Sequence, residues 1–127
     1  MTTASIAKEH YRLNLRNGNH EFYADEPKEV GGGDTAPAPD DLLEASLASC
    51  TAITLRMYAD RKQWNVDSIE VSVSVERVGN NKTVFTRKIS FTGEMETEQK
   101  ERLLQIAKAC PVSKTLLGEI EINSSVK

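Results

Sequence analysis

Apolar and polar positions along the chain follow two different periods. From His10 they alternate. Tyr11, Leu13 and Leu15 share one face, and His10, Arg12, Asn14 and Arg16 the other, which predicts a half-buried strand. Asn17-Gly18-Asn19 follows as a hairpin turn, with His20 to about Asp25 as the second arm and Phe22 and Tyr23 as its bulk. Ahead of this pair, residues 1–8 carry little pattern. Behind it, Glu26 to Pro39 breaks all periodicity, and its glycines and prolines predict a loop long enough to suspect a function.

From Pro39 the period changes. Asp40 to Lys62 reads as one helix of about 35 Å at 1.5 Å per residue. A carboxylate at Asp40 can take the free N–H groups of the first turn. Asp41 and Glu44 place negative charge at that end, and Arg56, Arg61 and Lys62 place positive charge at the other. Between Leu42 and Leu55 almost no polar face remains, which predicts a central helix wrapped on several sides. Asp41, Glu44 and Arg56 interrupt it too closely for a membrane span.

Alternation returns after the helix. Ile69, Val71, Val73 and Val75 oppose Glu70, Ser72, Ser74 and Glu76, and Gly79-Asn80-Asn81 turns the chain into a return strand from Val84 to Gly93. On that strand Arg87 shares a face with Phe85, Ile89 and Phe91. A cation in such a row sits at an edge, snorkels to water, or turns toward something anionic. Thr97 starts another helix with Leu103, Leu104, Ile106 and Ala107 on its apolar side. Cys110-Pro111 breaks it, with Pro111 opening a short helix, Cys110 at its N-cap and Gly118 as its stop. A last strand alternates Ile120 and Ile122 with Glu119 and Glu121. Hairpins, one long helix and one broken helix arrive in blocks, so the pattern predicts an α+β layer fold.

Composition changes this picture little. A length of 127 residues predicts one domain, residues 1–127, and 39% hydrophobic with 28% charged residues is the balance of a globular chain. A net charge of −3 argues against nucleic acid as the main partner. The start carries no basic and apolar leader pattern, so the expected compartment is the cytoplasm. Two isolated histidines and two cysteines outside any Cys-x-x-Cys pair give no metal site, and Gly31-Gly32-Gly33 lacks the spacing of a phosphate loop. No metal or cofactor is expected.

The cysteines carry the candidate chemistry. Cys50 in a buried helix reads first as a small hydrophobe that packs. Cys110 at a helix start has N–H groups available to stabilise a thiolate.

Two stretches around them resemble known motifs. Pro39-x-x-Leu42-Leu43-x-Ala45-x-Leu47-Ala48-x-Cys50-Thr51-Ala52, continuing to Trp64, resembles the first-cysteine helix of the OsmC/Ohr superfamily. Ala107-Lys108-Ala109-Cys110-Pro111-Val112-Ser113 resembles its second-cysteine motif, and His20-x-x-x-Ala24-Asp25-Glu26-Pro27 is similar to the shorter OsmC-like branch. The resemblance implies an intertwined homodimer with antiparallel sheets wrapped around long central helices. It also implies a thiol peroxidase acting on organic hydroperoxides, an antioxidant enzyme of the oxidative stress response. By that analogy Cys50 is oxidised to a sulfenic acid, Cys110 resolves it as a disulfide, and an external dithiol of lipoyl or thioredoxin type reduces the disulfide. Family enzymes activate the first thiol with an upstream arginine held by an acid. Here no arginine lies between Arg16 and Arg56, Asp40 stands where the Ohr-like motif has glutamate, and Asp41 matches the acid of the shorter branch. Arg12, Arg16, Arg87 and Lys28 are the candidate replacements, whereas Arg56 lies off the Cys50 face. The alternative function is a non-catalytic dimer that binds an apolar small molecule or senses redox state at its interface.

Overall fold

The computed structural model describes residues 1–127. The chain forms two compact units, Met1–Leu43 and Glu44–Lys127, with the boundary inside the long helix. The fold is α+β, built from two antiparallel sheets and three α-helices.

In the first unit, β1 (Thr2–Ser5), β2 (Leu13–Asn17) and β3 (His20–Ala24) form a sheet in that order. The hairpin turns at Gly18 (φ +58°), where a side chain would be strained, and aligns Leu13 with Ala24 and Leu15 with Phe22. The first strand corrects the expectation that residues 1–8 are patternless, for Thr2 pairs with Asn17 and Ser5 with Asn14. The paired part of β2 begins at Leu13 rather than His10.

The loop after β3 is pinned by a buried carboxylate. Asp25 accepts the N–H groups of Tyr11 (3.2 Å), Glu26 (2.8 Å) and Thr35 (3.1 Å) and the Thr35 hydroxyl (2.6 Å). The Asp25 N–H in turn bonds the Pro37 carbonyl at 3.0 Å. A side chain on Gly32 would come within 2.1 Å of the Glu26 carbonyl oxygen, so the loop closes only around glycine. These bonds depress the Asp25 carboxyl well below the carboxylate range. The Thr35 hydroxyl contributes most and the Glu26 N–H next, and together the bonds outweigh the opposing cost of burial.

The long helix α1 runs Pro39–Arg61. Pro39 occupies the first turn, where its missing N–H costs nothing, and Asp41 reaches back to accept the Ala38 N–H at 2.9 Å. Asp41 thus supplies a capping bond at this end of the helix.

In the second unit α1 buries one stripe, Leu47, Thr51, Leu55, Tyr58 and Ala59. The expectation of a helix wrapped on several sides fails within the single chain, because Ile53 and Met57 are 55% and 67% exposed. The hairpin of β4 (Ser68–Val78) and β5 (Lys82–Thr92) is paired along its whole length and presents Ile69, Ile89 and Phe91 to the core. Glu44 accepts the Val75 N–H at 2.8 Å and ties the start of α1 to β4. Gly93 (φ +117°) lets the end of β5 cross the helix–strand connection, where a Cβ would lie 2.5 Å from the Asn65 carbonyl oxygen.

Helix α2 (Thr97–Ala107) starts with a reciprocal cap between Glu96 and Gln99 and buries Leu103 and Ala107 against Leu55, Tyr58 and Val66. Leu104, expected on its apolar side, is 55% exposed. Helix α3 (Pro111–Leu117) follows directly, and the chain after Gly118 is irregular. The expected strand at Glu119–Ile122 is therefore absent, since its alternation finds no neighbouring strand in the chain. No helix is long and apolar enough to cross a membrane.

Candidate functional site

Cys50 lies at the midpoint of α1, half-buried, and one residue before the buried stripe. Cys110 is fully buried at 0% exposure and caps α3. Both thiols are free. The fold brings them near each other, because the Cys110 sulfur lies against Thr51, the residue that follows Cys50. The Cys110 sulfur also accepts the Ser113 N–H at 3.3 Å and lies 3.7 Å from the Thr51 hydroxyl.

Arg87 completes the cluster. Register places it opposite Val73 in the middle of the inner face of the hairpin. Its guanidinium donates to the Thr51 hydroxyl at 2.9 Å and to the Ala107 carbonyl at 3.1 Å. Arg87 turns inward rather than to water, but the groups it bonds are not the anion expected of an inward cation. Its partners are neutral, so its charge remains uncompensated beside the sulfur. Burial pushes the Cys110 thiol up. The Ser113 N–H, the Thr51 hydroxyl, the Cys50 thiol and the Arg87 charge more than offset this, and the net direction is down.

The other candidates serve elsewhere. Arg12 stacks on Tyr23, 4.2 Å from the ring centroid, and donates to the Thr35 hydroxyl at 2.9 Å. Arg16 faces Glu21 at 4.0 Å on the exposed face of the first sheet. Lys28 begins a 3₁₀ turn in the loop. Asp40 and Asp41 lie in the first turn of α1. Arg56 binds Asp60 and the carbonyls of Val66 and Asp67, closing the end of α1 onto its connection to β4.

Sequence reasoning missed Thr51 and Ser113. Thr51 had a visible signal, because it is the polar member of the Leu47–Thr51–Leu55 stripe and a buried hydroxyl there must find partners. Its hydroxyl lies 2.7 Å from the Leu47 carbonyl oxygen as well as against Arg87 and Cys110. Ser113 stands three residues after the capping thiol, where the backbone N–H of a helix start is free.

The sequence model of OsmC-like proteins matches residues 31–125, a span holding both cysteines and Arg87. The chain belongs to the OsmC-like family. Solved structures agree in fold. This OsmC-like chain is 24% identical to a Psychrobacter arcticus protein described as osmotic stress induced and of the detoxification response, with 91% of this chain and 88% of that one covered and a TM-score of 0.76. An OsmC-like protein from Mycoplasma pneumoniae is 23% identical over 93% of this chain and 86% of its own, at a TM-score of 0.71. The organic hydroperoxide resistance protein OhrB of Bacillus subtilis is 24% identical over 93% and 90%, at 0.66. No curated protein matches the chain in sequence.

Proposed function

We propose that this OsmC-like chain is a cysteine-based peroxidase for organic hydroperoxides. The observation that carries the reading is the cluster itself: two free thiols, one half-buried and one sealed against the residue that follows the other, beside an inward cation with neutral partners. Cys50 is the thiol that meets substrate, because Cys110 has no exposed surface. Attack of the Cys50 sulfur on the terminal peroxide oxygen gives a sulfenic acid and an alcohol. Cys110 then displaces water and closes a disulfide, which an external dithiol of lipoyl or thioredoxin type reduces. Arg87 takes the place of the upstream arginine that the family pattern would supply.

The working form in this reading is a homodimer in the cytoplasm. Ile53 and Met57 on α1, with Ile120 and Ile122 after α3, are the apolar positions that support a partner, since they stay exposed in the single chain.

Non-catalytic ligand binding is the second reading. A cleft of about 420 Å³ lined by Ile89, Phe91 and Leu104, with Lys100 and Glu101 at its polar side, favours it, and that volume suits a small apolar ligand. A peroxide pulse separates the two. Reduced protein given cumene hydroperoxide should yield a peptide map with Cys50 linked to Cys110, and Cys50→Ser should abolish turnover under dithiol recycling. Equal slow rates for wild type and Cys50→Ser would leave the binding reading.

A further inference from the structure

The far end of α1 carries a concentration of charge that the thiol cluster does not use. Tyr58 is 8% exposed and belongs to the core with Leu55 and Val66. Three cations nevertheless surround its ring. Arg61 and Lys62 follow it by three and four residues, and helical side chains at those spacings lean back over the preceding turn. Their charged groups lie 5.4 Å and 5.7 Å from the ring centroid. Arg102 reaches the same ring from α2, also at 5.7 Å, and its Nε donates to the Tyr58 hydroxyl at 3.0 Å.

The last turn of a helix is its negative end and collects cations for that reason alone. This accounts for Arg61 and Lys62. It does not account for Arg102, which comes from the middle of another helix. Nor does an acid answer the three charges. Asp60 is taken by Arg56 at 3.3 Å, and no carboxylate lies within ion-pair distance of Arg61, Lys62 or Arg102.

Two donors at the cluster are also unspent. The Tyr58 hydroxyl accepts from Arg102, while its own proton meets no acceptor in the chain. Arg102 spends Nε on Tyr58 and Nη1 on the Gln105 side chain at 3.1 Å, which leaves the N–H groups of Nη2. The phenol is held in place from the other side. Gln63 ends α1 in a left-handed conformation (φ +56°), and the Trp64 N–H returns to the Ala59 carbonyl at 3.0 Å. That turn sets the Trp64 ring edge-on to Tyr58, with centroids 5.6 Å apart. The Arg102 bond holds the phenol below its ordinary range, with the charges of Arg102, Lys62 and Arg61 adding to it against burial.

We infer that Tyr58, Arg61, Lys62 and Arg102 form a binding site for a phosphate group, carried by inorganic phosphate or by a small phosphate monoester. A dianion with several acceptor oxygens uses both unspent donors at once, and arginine donors suit it in shape as well as charge. Three cations outweigh the roughly half negative charge of the helix end. Tyr58 stands two turns beyond Thr51, about 10 Å along α1, so the site is separate from the thiols and does not rest on the peroxidase reading.

Isothermal titration calorimetry of the whole protein tests this at about pH 8, where phosphate groups are dianionic. The probes are inorganic phosphate and glycerol phosphate, with acetate and chloride at matched ionic strength. Either phosphate probe should bind saturably, and the pair of results tells free phosphate from the esterified group. Tyr58→Phe keeps the ring and its packing, and Arg102→Gln lies on the surface. Each should weaken binding at least tenfold, as should Arg61→Gln combined with Lys62→Gln, while the exposed Lys114→Gln should leave it unchanged. Fluorescence of Trp64, the single tryptophan of the chain, should follow the same saturation curve. Saturable binding of neither phosphate probe overturns the site. So does equal affinity for acetate, or an affinity that Tyr58→Phe and Arg102→Gln leave intact.

Discussion

Arg87 shows how one residue can be conspicuous in sequence and still resist assignment. A guanidinium between Phe85 and Ile89 on an inward face is costly unless its donors are used and its charge has a purpose. Its donors reach a hydroxyl and a carbonyl, both neutral. Replacing it with glutamine keeps a hydrogen-bonding group of shorter reach and removes the charge. Arg87→Gln should therefore lower the peroxidase rate at pH 7 by about tenfold and shift its pH profile upward, the direction expected when a cation leaves the side of a thiolate. Rates measured from pH 5 to 9 check this, with Arg12→Gln and Arg16→Gln for comparison. A loss in either as large as in Arg87→Gln would return the role to the upstream strand. Sequence alone gave Cys50 two readings, packing or chemistry, because a helix that is apolar almost all round hides which side is buried. Thr51, about 100° further round the helix, lies on the buried stripe, and Cys50 lies beside it.

At the level of elements, legibility followed whether an element's signal was local. The β4–β5 hairpin alternates cleanly and carries its own turn, and α1 announces its start with proline and acids. The strand at Thr2–Ser5 was invisible because Thr, Thr, Ala and Ser bring no bulky apolar residue to pattern. The strand expected at Glu119–Ile122 erred the other way. Alternation specifies two faces, but a strand also needs a neighbour for its N–H and C=O groups. The loop from Glu26 to Ala38 owes its order to Asp25, which glycine and proline content does not reveal. Because folding depresses that carboxyl, the stability it supplies is complete above the unfolded value of about 3.9 and is lost as pH falls through and below it. Limited proteolysis of the loop should accelerate below about pH 4 in wild type. In Asp25→Asn cleavage should be fast at pH 7 already and respond little to acid.

For the whole molecule, the inner and outer apolar positions should separate in experiment. Leu103 is fully buried in the cluster with Leu55 and Val66, and Leu103→Ala should cost about 2–5 kcal/mol of unfolding free energy in denaturant titration. Ile53 and Met57 lie outside that cluster. If they meet a second copy of the chain, Ile53→Glu with Met57→Glu should leave a folded monomer by analytical ultracentrifugation where wild type sediments as a dimer. A wild-type monomer would refute the dimer, and with it the intertwined arrangement that the family resemblance implies.

The unequal burial of the two sulfurs also decides where damage begins. A thiol with no exposed surface does not meet a second oxidant molecule, whereas a half-buried one does. Irreversible sulfinic and sulfonic forms should therefore start at Cys50 and leave Cys110 intact. Under heavy oxidant load the protein would then be lost one sulfur at a time, at the position that Cys110 protects by forming the disulfide before a second oxidant arrives.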